Sequence, residues 1–91
     1  MSTPDSGKSL LTFPCVFPIK VVGQSGVDFE AHVLAIVRRH VPDLKETAVG
    51  RRPSKAGRFT SLTVTVNAES QTQLDAIYRE LSASPDVIMA L

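Results

Sequence analysis

Between Ser61 and Val66 the chain alternates strictly, with Leu62, Val64 and Val66 set against Ser61, Thr63 and Thr65. A repeat of two residues belongs to an extended strand with one face in a core and the other in water. That apolar side needs a cover, and the sequence holds two amphipathic stripes able to supply it. Phe29, Val33, Ile36 and Val37 recur at helical spacing, widened by Leu34 and Val41, and Leu74, Ile77, Tyr78 and Leu81 form the second stripe.

Local signals set the boundaries of these elements. Phe13-Pro14-Cys15-Val16-Phe17-Pro18 is apolar but carries two prolines, which donate no ladder hydrogen bond, so a first strand is expected to start near Ile19 and end at Gly23. Gly23-Gln24-Ser25-Gly26 is a turn, and Ser25 with Asp28 three residues on has the form of a helix cap. The first helix is therefore expected over about Val27 to Val41, ended by Pro42. A weaker pattern within Leu44 to Arg52 suits a second strand, with Pro53-Ser54-Lys55-Ala56-Gly57 as its turn. Ser70 and Gln73 have capping-box spacing for a second helix over about Gln71 to Ser82, and Val87 to Leu91 reads as a final strand.

Strand, helix, strand, strand, helix, strand is the order of the ferredoxin-like βαββαβ sandwich, an α+β fold in which two helices cover one face of a four-stranded antiparallel sheet. Residues 1–11 mix Ser, Thr, Pro, Asp and Gly without apolar periodicity and are expected to form a mobile tail, leaving residues 12–91 as one domain. The other sheet face then stays open, with Ser61, Thr63, Thr65, Lys20 and Val22 as its expected occupants. The uncharged segment Val87 to Leu91 is expected at an edge. Either the first strand and second helix shield it or a second subunit does.

Charge singles out one region. The net charge of +1 hides an excess of +5 between Arg38 and Arg58, against −1 before it and −3 after it. Arg51, Arg52, Lys55 and Arg58 gather around the second turn, with Phe59 beside them at the parity of Ser61 and Thr63. These five residues are candidates for contact with phosphates, nucleic acid or a partner, against the simpler reading of solvated charge that protects an edge strand. Gly23, Gln24, Ser25 and Gly26 are candidates for a small-molecule contact, because a turn entering a helix presents unpaired N–H groups. They lack the spacing of a dinucleotide fingerprint and the lysine of a P-loop.

Catalytic residues are not indicated. His32 and His40 stand eight residues apart, two helical turns rather than the one that suits a metal pair. Asp28 with Glu30, and Glu69 with Asp75, are helix-start charges rather than an acid and base pair. Cys15 has no neighbouring cation to activate it and no cysteine to pair with, which points to a reducing compartment. No catalytic residue, metal site or cofactor is assigned. The first nine residues lack an apolar signal core and no apolar run is long enough to span a bilayer, so the expected location is the cytoplasm, with no membrane partner.

Phe13-Pro14, Phe17, Lys20-Val21-Val22-Gly23-Gln24, Arg39-His40-Val41-Pro42 and Ser54-Lys55-Ala56-Gly57 onward to Ala68 together resemble the YbeD family of small uncharacterised bacterial proteins. The resemblance covers residues 13–91. It implies a ferredoxin-like fold close to ACT regulatory domains, no established catalytic residues, and a regulatory role near lipoate metabolism. By analogy with ACT domains it points to the Gly23–Gly26 turn as a small-molecule contact. With only one copy of the module in this chain, such a site would form between subunits of a homodimer. The expected function is thus a non-catalytic regulatory or adaptor domain that binds a small molecule or protein. The alternative is a nucleic-acid-binding module using Arg51, Arg52, Lys55, Arg58 and the open sheet face.

Overall fold

A computed structural model describes residues 11–91. The expected tail lies outside the described residues except for Leu11, which packs against the core. The elements run β1 (Cys15–Gln24), α1 (Val27–His40), β2 (Val49–Pro53), β3 (Phe59–Ala68), α2 (Gln71–Ala83) and β4 (Val87–Ala90), with one 3-10 turn at Glu46–Ala48. They form one antiparallel sheet in the order β2-β3-β1-β4. This is the ferredoxin-like arrangement.

Alternation along β3 buries Leu62, Val64, Val66 and Ala68 beneath the helices, next to Ile19 and Val21 of β1. The helical stripes Phe29, Val33, Ile36, Val37 and Leu74, Ile77, Leu81 close the same core. Each fully buried aliphatic side chain here contributes about 1.5–3 kcal/mol relative to exposure. All buried hydrophobic side chains lie on this side, and no buried residue among those described is polar or charged.

β1 corrects the sequence reading. It starts at Cys15 rather than Ile19 and pairs with β3 through Pro18, which lies opposite Thr65. The reason is directional. Lys20 exchanges both backbone hydrogen bonds with Leu91 at 3.0 and 2.7 Å, so residues of Lys20 parity aim their backbone groups toward β4. The described β1–β4 pairing does not reach Pro18, so its missing N–H faces no partner strand among the described residues.

The helix starts differ. Ser70 caps α2 by accepting from the Gln73 N–H at 3.0 Å, while Gln73 Oε1 accepts from the Glu69 N–H at 2.7 Å. Gln73 Nε2 also donates to the His40 carbonyl at 2.9 Å, joining the start of α2 to the end of α1. At α1 the expected cap is not formed: Gly26 holds the cap position and no side chain bonds the first turn. The second strand is shorter than Leu44–Arg52, because the 3-10 turn takes up Glu46–Ala48. No helix among the described residues is long and apolar enough to cross a membrane.

Candidate binding surface

The two candidate segments, distant in sequence, meet at one corner of the sheet. The Ser25 N–H donates to the Arg58 carbonyl at 2.9 Å, and the hydroxyls of Ser25 and Thr60 lie 2.7 Å apart. This bond to β3 draws Ser25 away from the α1 cap. Gln24, Ser25, Arg58 and Phe59 line a shallow cleft at the junction. The hairpin loop beside it is closed by Ser54, whose N–H donates to the Phe59 carbonyl at 2.8 Å and whose carbonyl accepts from the Gly57 N–H at 2.9 Å. Gly57 sits at φ 74°, in the left-handed region where glycine is favoured.

The four turn residues have separate roles. Gly23 is buried, and a Cβ there would collide with the Phe29 ring and the Asp86 carbonyl, so it permits close packing of β1, α1 and the α2–β4 loop. Gln24, Ser25 and Gly26 are exposed. Asp28 and Glu30 already occupy the first turn of α1, and their negative charge opposes binding of an anion at that helix end. Positive charge at the corner comes instead from Arg58.

The basic cluster is divided by the sheet. Arg51 lies opposite Leu62, on the helix side, where its Nε donates to Glu30 Oε1 at 2.7 Å and its Nη2 bonds the other carboxylate oxygen. The Arg51 hydrogen bond holds the Glu30 carboxyl below its ordinary range, and the same bond raises the Arg51 pKa. Arg51 therefore does not share the open face with Arg52, because consecutive strand residues point to opposite sides. Arg52 lies opposite Ser61 on the open face. Among the described residues, Arg52, Lys55, Arg58 and Lys20 form no ion pair.

Strand register places the open-face residues in rows. Arg52, Ser61, Val22 and Met89 form one row across β2, β3, β1 and β4. Gly50, Thr63, Lys20 and Leu91 form the next. Phe59, 38% exposed, stands opposite Gln24 at the corner, and Thr65 lies opposite Pro18 at the other end. The face thus passes from cation through hydroxyl to apolar side chain. Met89 and Leu91, 49% and 64% exposed, were not singled out by sequence reasoning, because a regular β4 would set them on the same face as Val87, which packs against the core. An extra residue at Ile88 shifts that parity.

Charge is segregated in the same way. All described Asp and Glu side chains, from Asp28 to Asp86, stand on helices or connecting loops, whereas the four described strands and the β2–β3 hairpin contain none. The histidines are engaged on the helix side. His32 pairs with Asp86, and His40 Nε2 lies 2.6 Å from Glu80, which also pairs with Arg39. The hydrogen bond from His40, with a further contribution from Arg39, lowers the Glu80 pKa. Cys15 is half-buried against the core. Another cleft, near the far end of β3, is lined by His40, Asp43, Asn67, Glu69 and Gln73. Its Gln73 amide is already committed to His40 and Glu69.

Residues 8–91 match the family described as "Protein of unknown function (DUF493)". A UPF0250 protein of Chromobacterium violaceum is 46% identical over 96% of this chain and 98% of its own length. UPF0250 protein NE1487 of Nitrosomonas europaea is 44% identical over 92% of this chain and 97% of its own. The solution structure of protein HP0495 from H. pylori superposes with a TM-score of 0.77 over 100% of this chain and 97% of that one, at 18% identity, which supports the shared fold. With a family match across residues 8–91 and relatives aligned over nearly their whole length, the chain belongs to the DUF493 family, the YbeD family of bacterial proteins.

Proposed function

We propose that this chain is a non-catalytic regulatory or adaptor domain that acts by binding, with the corner between the Gly23–Gly26 turn and the β2–β3 hairpin as its small-anion contact. The observation that carries the reading is the meeting of Gln24, Ser25, Arg58 and Phe59 in one cleft, beside a sheet whose described strands carry no Asp or Glu side chain. A carboxylate or phosphate there would meet the Arg58 guanidinium and the exposed polar groups of Gln24 and Ser25. The compartment expected for this activity is the cytoplasm.

Nucleic-acid binding draws less support. Arg51 is paired with Glu30, and Phe59 is the one aromatic on the described open face, whereas single-strand binding relies on several stacking platforms along a cationic track. The test is an NMR titration of ¹⁵N-labelled protein with citrate and with inorganic phosphate. The reading expects saturable shifts at Gln24–Gly26 and Arg58–Phe59 that are lost in Arg58→Ala. Turnover of a substrate dependent on His32, His40 or Cys15 would overturn it, as would shifts confined to the helix side.

A further inference from the structure

The cationic and apolar borders of the open face lie on opposite strands. Arg52 is on β2 at one edge, Met89 is on β4 at the other, and Leu91 follows directly after β4. Strands are about 4.8 Å apart, so three steps separate these borders by about 14 Å. An α-helix with its side chains is about 10–12 Å across. One helix laid along the strands can therefore reach both borders, which suits it to this face if it is apolar on one flank and acidic on the other.

Lys20 supports the same orientation. It lies between Thr63 and Leu91, inside the apolar border, and none of the described ion pairs includes it. An apolar partner would bury this ammonium without a counter-charge, at substantial cost. A partner with a carboxylate near the centre of the contact would neutralise it. Nucleic acid would satisfy the cations but leave Val22, Met89 and Leu91 against a charged backbone.

We propose that the open sheet face docks an acidic amphipathic helix of a partner protein, its apolar side on Val22, Met89 and Leu91 and its carboxylates on Lys20 and Arg52. This inference rests on the binding reading above and assigns a protein partner to the face adjoining the small-anion corner. The hydroxyls of Ser61 and Thr63 lie beneath the helix axis, where they hydrogen-bond side chains of either sign. Charge complementarity gives such a complex a fast, salt-sensitive association, and the apolar border provides most of its persistence.

The test uses the full chain, ¹⁵N-labelled, and an 18-residue peptide with leucines at helical spacing on one side and glutamates on the flank. A lysine-for-glutamate peptide and an 18-nucleotide oligothymidylate are run beside it. The proposal expects shifts at Val22, Arg52, Ser61, Thr63 and Met89 with the acidic peptide, and at least tenfold weaker binding by the Lys20→Glu, Arg52→Glu variant. Lys20→Gln with Arg52→Gln keeps the test valid should the charge reversal disturb folding, and is expected to weaken binding at least threefold. Equal binding of the lysine peptide, stronger binding of the oligonucleotide at this face, shifts confined to the helices, or no shift overturns the proposal. Shifts limited to Gln24, Ser25 and Arg58 overturn it too, while leaving the small-anion reading intact.

Discussion

Gly23→Ala adds one methyl group where β1, α1 and the α2–β4 loop converge. The new Cβ would overlap the Phe29 ring and the Asp86 carbonyl. Neither yields easily. Phe29 is 3% exposed and packed in the core, and Asp86 is backbone next to Val87, the β4 partner of Gly23, with its side chain bound to His32. Overpacking typically costs about 1–3 kcal/mol, and a clash with backbone as well as a confined ring places this site toward the upper end. For a domain of this size each kcal/mol moves the melting temperature by about 4–8 °C, so a fall of about 10–20 °C is expected. Gly50→Ala is the control, because the nearest atom to its added Cβ is the Thr63 carbonyl oxygen at 3.9 Å. It should leave stability unchanged or raise it by up to about 1 kcal/mol through the unfolded chain. Thermal melts followed by circular dichroism measure both. A Gly23→Ala protein that melts within about 2 °C of the parent, less than the expected cost of even mild overpacking, would refute the packing argument.

Three further outcomes are expected. Ser70→Ala removes the acceptor for the Gln73 N–H and should cost about 1 kcal/mol in urea denaturation. Pro18→Ala restores an N–H that faces no partner strand among the described residues, so the stability change should stay within about 1 kcal/mol; a larger gain would mean that a partner receives it. Glu30 and Glu80 both have folded pKa values below the ordinary 4.5, so their contributions are present above that value and fade as pH falls through the lowered ones. Urea midpoints measured from about pH 6 to pH 3 should accordingly fall less for the Glu30→Gln, Glu80→Gln variant than for the parent.

Features governed by near neighbours in sequence were legible in the sequence. The alternation of β3 correctly divided Leu62 and Val64 from Ser61 and Thr63, the spacing of Ser70 and Gln73 marked the start of α2, and the parity of Phe59 placed it on the open face. Features governed by partners far along the chain were not. Whether Pro18 interrupts β1 depends on where β4 ends, and whether Ser25 caps α1 depends on Arg58 and Thr60 competing for it. Arg51 stood in a run of cations with nothing nearby to indicate that Glu30 would claim it. The union of the Gly23–Gly26 turn with the basic hairpin likewise follows from the β1–β3 register, which opposes Gln24 to Phe59.

A sheet face without Asp or Glu side chains among the described residues, turned away from the helices, underlies both binding readings, and its electric field can be measured without any ligand. Paramagnetic relaxation of backbone amides by an anionic and a cationic nitroxide of equal size reports the local potential residue by residue. The account predicts stronger relaxation by the anionic probe at Lys20, Arg52, Lys55, Arg58 and Thr63, and by the cationic probe around Asp43 and Glu69, which line one cleft at the other end of the sheet. Equal relaxation by both probes across β1 and β3, or the reverse preference, would contradict it.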